Sequence, residues 1–130
     1  MTCHLYLVVL GGRINGCNIE LHDVRWVVGE SIQDTIISLK KEWFGDKKGL
    51  HIDSYRMIEH VDGMDVTVVH SPLVKKPLGE DYLWFVNLGG YSSQTMAEQH
   101  EFGIIVARTQ QLAKYKARQR WLKGMTQIHK

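Results

Sequence analysis

The sequence predicts an α+β domain built from a pseudo-two-fold duplicated ββα(ββ) unit, a mostly antiparallel sheet with helices packed on one face. Three observations carry that prediction. The chain contains one segment twice at a fixed offset, each copy runs strand, glycine pair, polar loop, strand and helix, and Asp62-Gly63 marks a two-residue hairpin. Leu5-Tyr6-Leu7-Val8-Val9-Leu10-Gly11-Gly12 returns as Leu83-Trp84-Phe85-Val86-Asn87-Leu88-Gly89-Gly90, an offset of 83 − 5 = 78. At that offset Glu20 meets Glu98, His22 meets His100, Val28 meets Val106, Gln33 meets Gln111, Trp43 meets Trp121 and His51 meets His129. A supersecondary unit used twice carries any site built from it twice.

With 130 residues the chain has the size of one domain, so residues 1–130 are expected to form a single domain of two repeats. The first repeat is complete over 4–72 and the second incomplete over 82–130. The second reaches only the partner of Ile52 and has no counterparts for Asp53 to Pro77. A natural end, a shortened chain or strands supplied by another subunit each account for this. The sheet edges so left predict a homodimer.

In order, Leu5 to Leu10 is an apolar run ending at the glycine pair, as a buried strand and its exit would be. Arg13 to Leu21, with Asn15-Gly16, is a polar loop, and Asp23 to Gly29 has strand composition. Ser31 with Asp34 three residues on is a helix-capping signature. Ile32, Ile36, Leu39 and Trp43 then share one helical face, with Gly45 as the stop. Leu50 to about Val61 is extended, and Met64 to Val69 alternates apolar and polar as the return strand of the hairpin. Leu73 to Asp81 is a linker. The second copy repeats the strand, the loop (Tyr91 to Gln99), the strand (Glu101 to Arg108) and the helix (Thr109 to Lys123). In its helix Gln110, Lys114 and Ala117 stand where the first has Ile32, Ile36 and Leu39. Either this helix packs more shallowly, or Leu112, Tyr115 and Leu122 form a different apolar side.

A net charge of +2 is too small to imply a polyanionic partner. From Phe102 onward there is no acid, but the helical lysines and arginines scatter around the axis instead of forming a stripe, which argues against nucleic acid. Cys3 and Cys17 have no metal or disulfide spacing, so reduced thiols in a cytoplasmic protein are expected. The run Leu5 to Leu10 is too short for a signal sequence, and nothing approaches a membrane span.

The chemistry-bearing candidates are Glu20 and His22, two apart on an extended segment and therefore on one side, with their echo Glu98 and His100. A carboxylate and an imidazole on one face share a divalent metal, orient one another or act as an acid–base pair. Two copies about a pseudo-dyad supply both pairs to one point. The structural alternative is an imidazole that caps a strand entry. His51, in the pair His51-x-Asp53, either begins its strand as a satisfied structural group or joins the Glu20/His22 set. The glycine pairs mark close backbone approach, since no helix start or Gly-Lys-Ser/Thr follows to bind phosphate. No nucleophile elbow or zinc spacing is present.

On Ile19-Glu20-Leu21-His22-Asp23-Val24, Gly29-Glu30-Ser31 and Leu50-His51-Ile52-Asp53-Ser54-Tyr55-Arg56, the chain resembles a small bacterial family known as domain of unknown function 1543. The resemblance implies one or two copies of the region per chain and no activity. From the residues themselves, the expected function is a small-ligand-binding or assembly module. The alternative is a small metal- or acid/base-dependent enzyme using Glu20, His22, Glu98, His100 and His51, with a divalent metal as the candidate cofactor.

Overall fold

The computed structural model describes residues 2–70, 80–121 and 126–127. The fold is α+β, with antiparallel sheets and two helices. Two compact units form, Met1–His60 with Asp65–Ser71, and Val61–Met64 with Pro72–Lys130.

In the first unit β1 (His4–Arg13) lies between β2 (Leu21–Gly29) and β3 (Asp46–Ile58), antiparallel to both. The apolar run of β1 serves two faces. Tyr6, Val8 and Leu10 are buried with Leu39 and Trp43, while Leu5, Leu7 and Val9 alternate with them and are half-buried. Helix α1 (Ile32–Glu42) starts where the Asp34 carboxylate accepts the Ser31 N–H at 3.2 Å. Its inward residues are Thr35, Leu39 and Trp43, with Ile32 packed against the same core, so of the expected face only Ile36 is displaced. Thr35 is fully buried because its hydroxyl donates to the Ile32 carbonyl at 2.6 Å, which removes the cost of burying it, and Ile36 is 37% exposed. The helix ends at Trp43, whose indole N–H donates to the Asp46 carbonyl and whose ring covers Gly12.

β3 begins at Asp46, earlier than the sequence suggests, because Asp46 is still paired with Arg13 across a register irregularity. A second irregularity falls between Val9 and Leu10. These pair with Ser54 and Ile52, which leaves Asp53 as the extra residue of a bulge. β4 (His60–Val61) and β5 (Met64–Asp65) make the expected hairpin, with Asp62 at φ 50° and Gly63 at φ 78°, the positive values that a type I′ turn requires. The return strand expected over Met64 to Val69 is limited to Met64–Asp65. After the Val66 N–H donates to the Glu59 carbonyl at 2.8 Å, its alternation meets no partner strand among the described residues.

The second unit reproduces the order, with β6 (Tyr82–Tyr91) between β7 (Gln99–Ala107) and β8 (Thr126–Gln127). Its register is the first one displaced by 78: His4 pairs with Gly29 and Tyr82 with Ala107, Gly11 with His22 and Gly89 with His100. Helix α2 (Gln110–Arg120) is capped by Thr109, whose hydroxyl accepts the Leu112 N–H at 3.1 Å. The core is Val86, Leu88, Ile105, Ala107, Ala113 and Ala117, with Trp84 and Trp121 against it. Within this unit α2 packs through alanines at the positions of Thr35 and Leu39, and Leu112 and Tyr115 are exposed. The carboxylate of Asp62, at the hairpin tip and within this unit, accepts the Val106 N–H and the Arg120 guanidinium, each at 2.9 Å. The Leu73 to Asp81 linker falls largely outside the described residues, as do Leu122 and His129.

Candidate functional site

The register of the first sheet creates the site. Gly11 of the central strand is opposed by His22 on β2 and by His51 on β3, and directly opposed residues of antiparallel strands project to one face. Both imidazoles therefore flank the one position in that row with no side chain. A Cβ built on Gly11 would come within 2.7 Å of His51 Nε2 and 2.9 Å of Glu20 Oε1, so the glycine is required by close approach. Glu20 enters from the residue before β2. Asp53, two residues after His51 and at the bulge in β3, projects to the same side.

The result is a ring of four side chains. His51 Nε2 lies 2.9 Å from Glu20 Oε1 and 3.0 Å from Asp53 Oδ1, and His22 Nε2 lies 3.1 Å from Asp53 Oδ2 and 3.5 Å from Glu20 Oε2. His51 Nδ1 is 2.9 Å from the Gly49 carbonyl, an acceptor only, so Nδ1 carries a proton. Nε2 then faces two carboxylate oxygens and must hold a second proton or meet a cation. The Gly49 carbonyl raises the His51 pKa above its ordinary value of 6.5. Desolvation opposes this, and the charges of Glu20 and Asp53 add to the rise. The four side chains are 35–52% exposed, and ion pairs that wet contribute little to stability. Holding the fold together does not account for the ring. Among the described residues no group of three or more His, Cys, Asp or Glu side chains is arranged to hold a metal ion as it stands.

Of the residues singled out from sequence, Glu20, His22 and His51 thus come together, in a set that spans the central strand. Asp53, noted from sequence as the second half of the pair His51-x-Asp53, joins them. In the second unit His100 Nε2 lies 3.5 Å from Glu98 Oε2, and His100 is opposed to Gly89 as His22 is to Gly11. The partner of His51 is His129, outside the described residues, and Asp53 has no partner within the 130 residues. His51 also belongs to the wall of a cavity of about 290 Å³ between α1 and β3, otherwise lined by Leu10, Ile36, Leu39, Lys40, Leu50 and Ile52. Part of the expected rim loop, Arg13 to Cys17, lines an open hollow with Asp46, Lys47 and Lys48.

Residues 17–68 and 95–130 match the family model described as Domain of Unknown Function (DUF1543). The chain belongs to that family. The two matched stretches fall one in each repeat, and the four-residue ring lies wholly in the first. The DUF1543 chain is similar to the crystal structure of a protein Il1583 from Idiomarina loihiensis, with 35% sequence identity and a TM-score of 0.71 over 97% of this chain and 77% of that one. None of the curated proteins matches it. No helix among the described residues is long and apolar enough to cross a membrane.

Proposed function

We propose that this DUF1543 protein is a small-ligand-binding module whose site is the Glu20–His22–His51–Asp53 ring, and that the ligand presents a compact cationic group there. The observation that carries this reading is the placement of each Nε2 between oxygens of two carboxylates. The ring is an acceptor-rich, half-exposed cluster that carries two negative charges whenever both imidazoles are neutral, and it is completed by two protons or by a cation. Imidazole side-chain NMR of the full chain tests it, with guanidinium, ammonium, Mg²⁺ and Zn²⁺ salts as probes. At least one probe should shift His22 and His51 together while His60 stays in place. If every probe leaves both unmoved, or moves all histidines alike, the reading is wrong.

A further inference from the structure

We infer that the cation held by the Glu20–His22–His51–Asp53 ring is a divalent transition metal of the zinc and cobalt type. The inference rests on the ring being the ligand site. Two imidazoles and two carboxylates are a donor set that suits zinc, cobalt, iron or nickel, whereas magnesium and calcium take oxygen ligands almost throughout. Metal ligation needs neutral imidazoles and ionised carboxylates, so the ring offers two negative charges and a divalent ion neutralises them. Each carboxylate gives one oxygen to each imidazole, so the two Nε2 atoms are bridged by both carboxylates through contacts of 2.9, 3.0, 3.1 and 3.5 Å. The ring as it stands is closed on protons, and a metal replacing them would take both Nε2 atoms and one oxygen of each carboxylate, which requires the carboxylates to turn. Exposed side chains on a strand end and a bulge have room for this.

The surroundings are those of a ligating histidine. The Gly49 carbonyl accepts from His51 Nδ1, which fixes the tautomer whose lone pair lies on Nε2, toward the carboxylates. Gly11 keeps the centre open, since any side chain there would meet His51 Nε2 and Glu20 Oε1.

Cobalt titration tests the inference, using the full chain produced without a polyhistidine tag and stripped with a chelator. One cobalt per chain should bind, with the intense visible bands of tetrahedral geometry, and zinc should displace it while magnesium does not. His22→Ala and His51→Ala should each weaken binding by more than about 100-fold, the upper range for losing even an outer partner of a ligand. His60→Ala should bind as the parent does. Glu20→Gln, isosteric and outside the strand, guards against a folding artefact: its circular dichroism should match the parent while cobalt binding drops at least about tenfold. A weak octahedral spectrum, or binding indifferent to His22 and His51, overturns the inference. If guanidinium or ammonium moves His22 and His51 and cobalt does not, the metal is wrong and the cation site stands. If nothing binds at the ring, both fall.

Discussion

The two repeats have the same strand order and the same register displaced by 78 residues, yet they are filled in opposite ways. Under α1 the first buries Thr35, Leu39 and Trp43. Under α2 the second buries Ala113 and Ala117, and Trp121 lies over Gly103, where the first repeat has Arg25. On the row of the central glycine the first repeat gathers four chemical side chains, and the second shows Glu98 with His100. The backbone frame and the helix cap are thus the common part, and packing volume and chemistry are what each copy varies upon it.

The sharpest way to break that comparison is through the helix faces. Leu39 is almost fully buried, and Leu39→Ala removes a large side chain from the core, a cost of about 2–5 kcal/mol. Its partner Ala117 is fully buried as well, but Ala117→Gly loses one methyl and some helix propensity, about 1 kcal/mol. Urea unfolding of the two variants should separate them by that margin. Equal losses would mean that the helices pack alike despite their sequences.

Next in size is Asp62, which holds the edge of β7 and has no counterpart within the second copy. Its partial burial works to raise the carboxyl, but the Val106 N–H, the Arg120 hydrogen bond and the charges of Arg120 and Lys116 prevail and leave the pKa below the ordinary 3.8. A depressed carboxylate stabilises above its unfolded value, and the contribution disappears as pH falls through the folded value. Asp62→Asn should therefore cost about 1–2 kcal/mol near neutrality. By urea titration, the difference from the parent should shrink below pH 3.8. A constant difference across pH would show that the carboxylate charge is irrelevant.

How much of this was legible in the sequence divides along the same line. The duplication, the capped first helix, the Asp62-Gly63 turn and the nearness of Glu20 to His22 follow from local spacing, and they stand in the structure. The inward face of α1 was read correctly at Ile32, Leu39 and Trp43 and missed Thr35, which counts as polar until its hydroxyl finds the Ile32 carbonyl. The junction of His51 with His22 depends on β3 pairing with the far side of β1, a tertiary fact that no local pattern encodes. The nearness of Asp53 to His51 does follow from their spacing of two, while its reach to His22 depends on the same pairing. The strand expected to Val69 failed for the converse reason: among the described residues its alternation has no partner strand, and without one it makes no ladder.

His51 offers a smaller but more local test. Because the Gly49 carbonyl and the two carboxylates favour its charged form, its NMR titration midpoint in metal-free protein should lie above 6.5. Glu20→Gln should bring it part of the way back, since the carbonyl remains. Any stability tied to this charge is present below 6.5 and lost as pH rises through the folded value. A midpoint at or below 6.5 would mean that desolvation outweighs the ring.

The smallest expected effect sharpens the comparison by contrast. His60 Nδ1 and Asp65 Oδ1 are 2.7 Å apart, shorter than any contact in the ring, but the side chains are 72% and 81% exposed. Distance alone ranks this pair first. Solvent screening and side-chain entropy rank it last, because exposed pairs of this kind are worth about 0–1 kcal/mol. His60→Ala should change the urea midpoint by less than about 0.5 kcal/mol equivalent and leave cobalt binding as in the parent. A large loss would show that the hairpin carries a structural load that its exposure conceals. The ring differs in having four members converge over a glycine, and that convergence, not the length of any single contact, distinguishes a site from a surface ion pair.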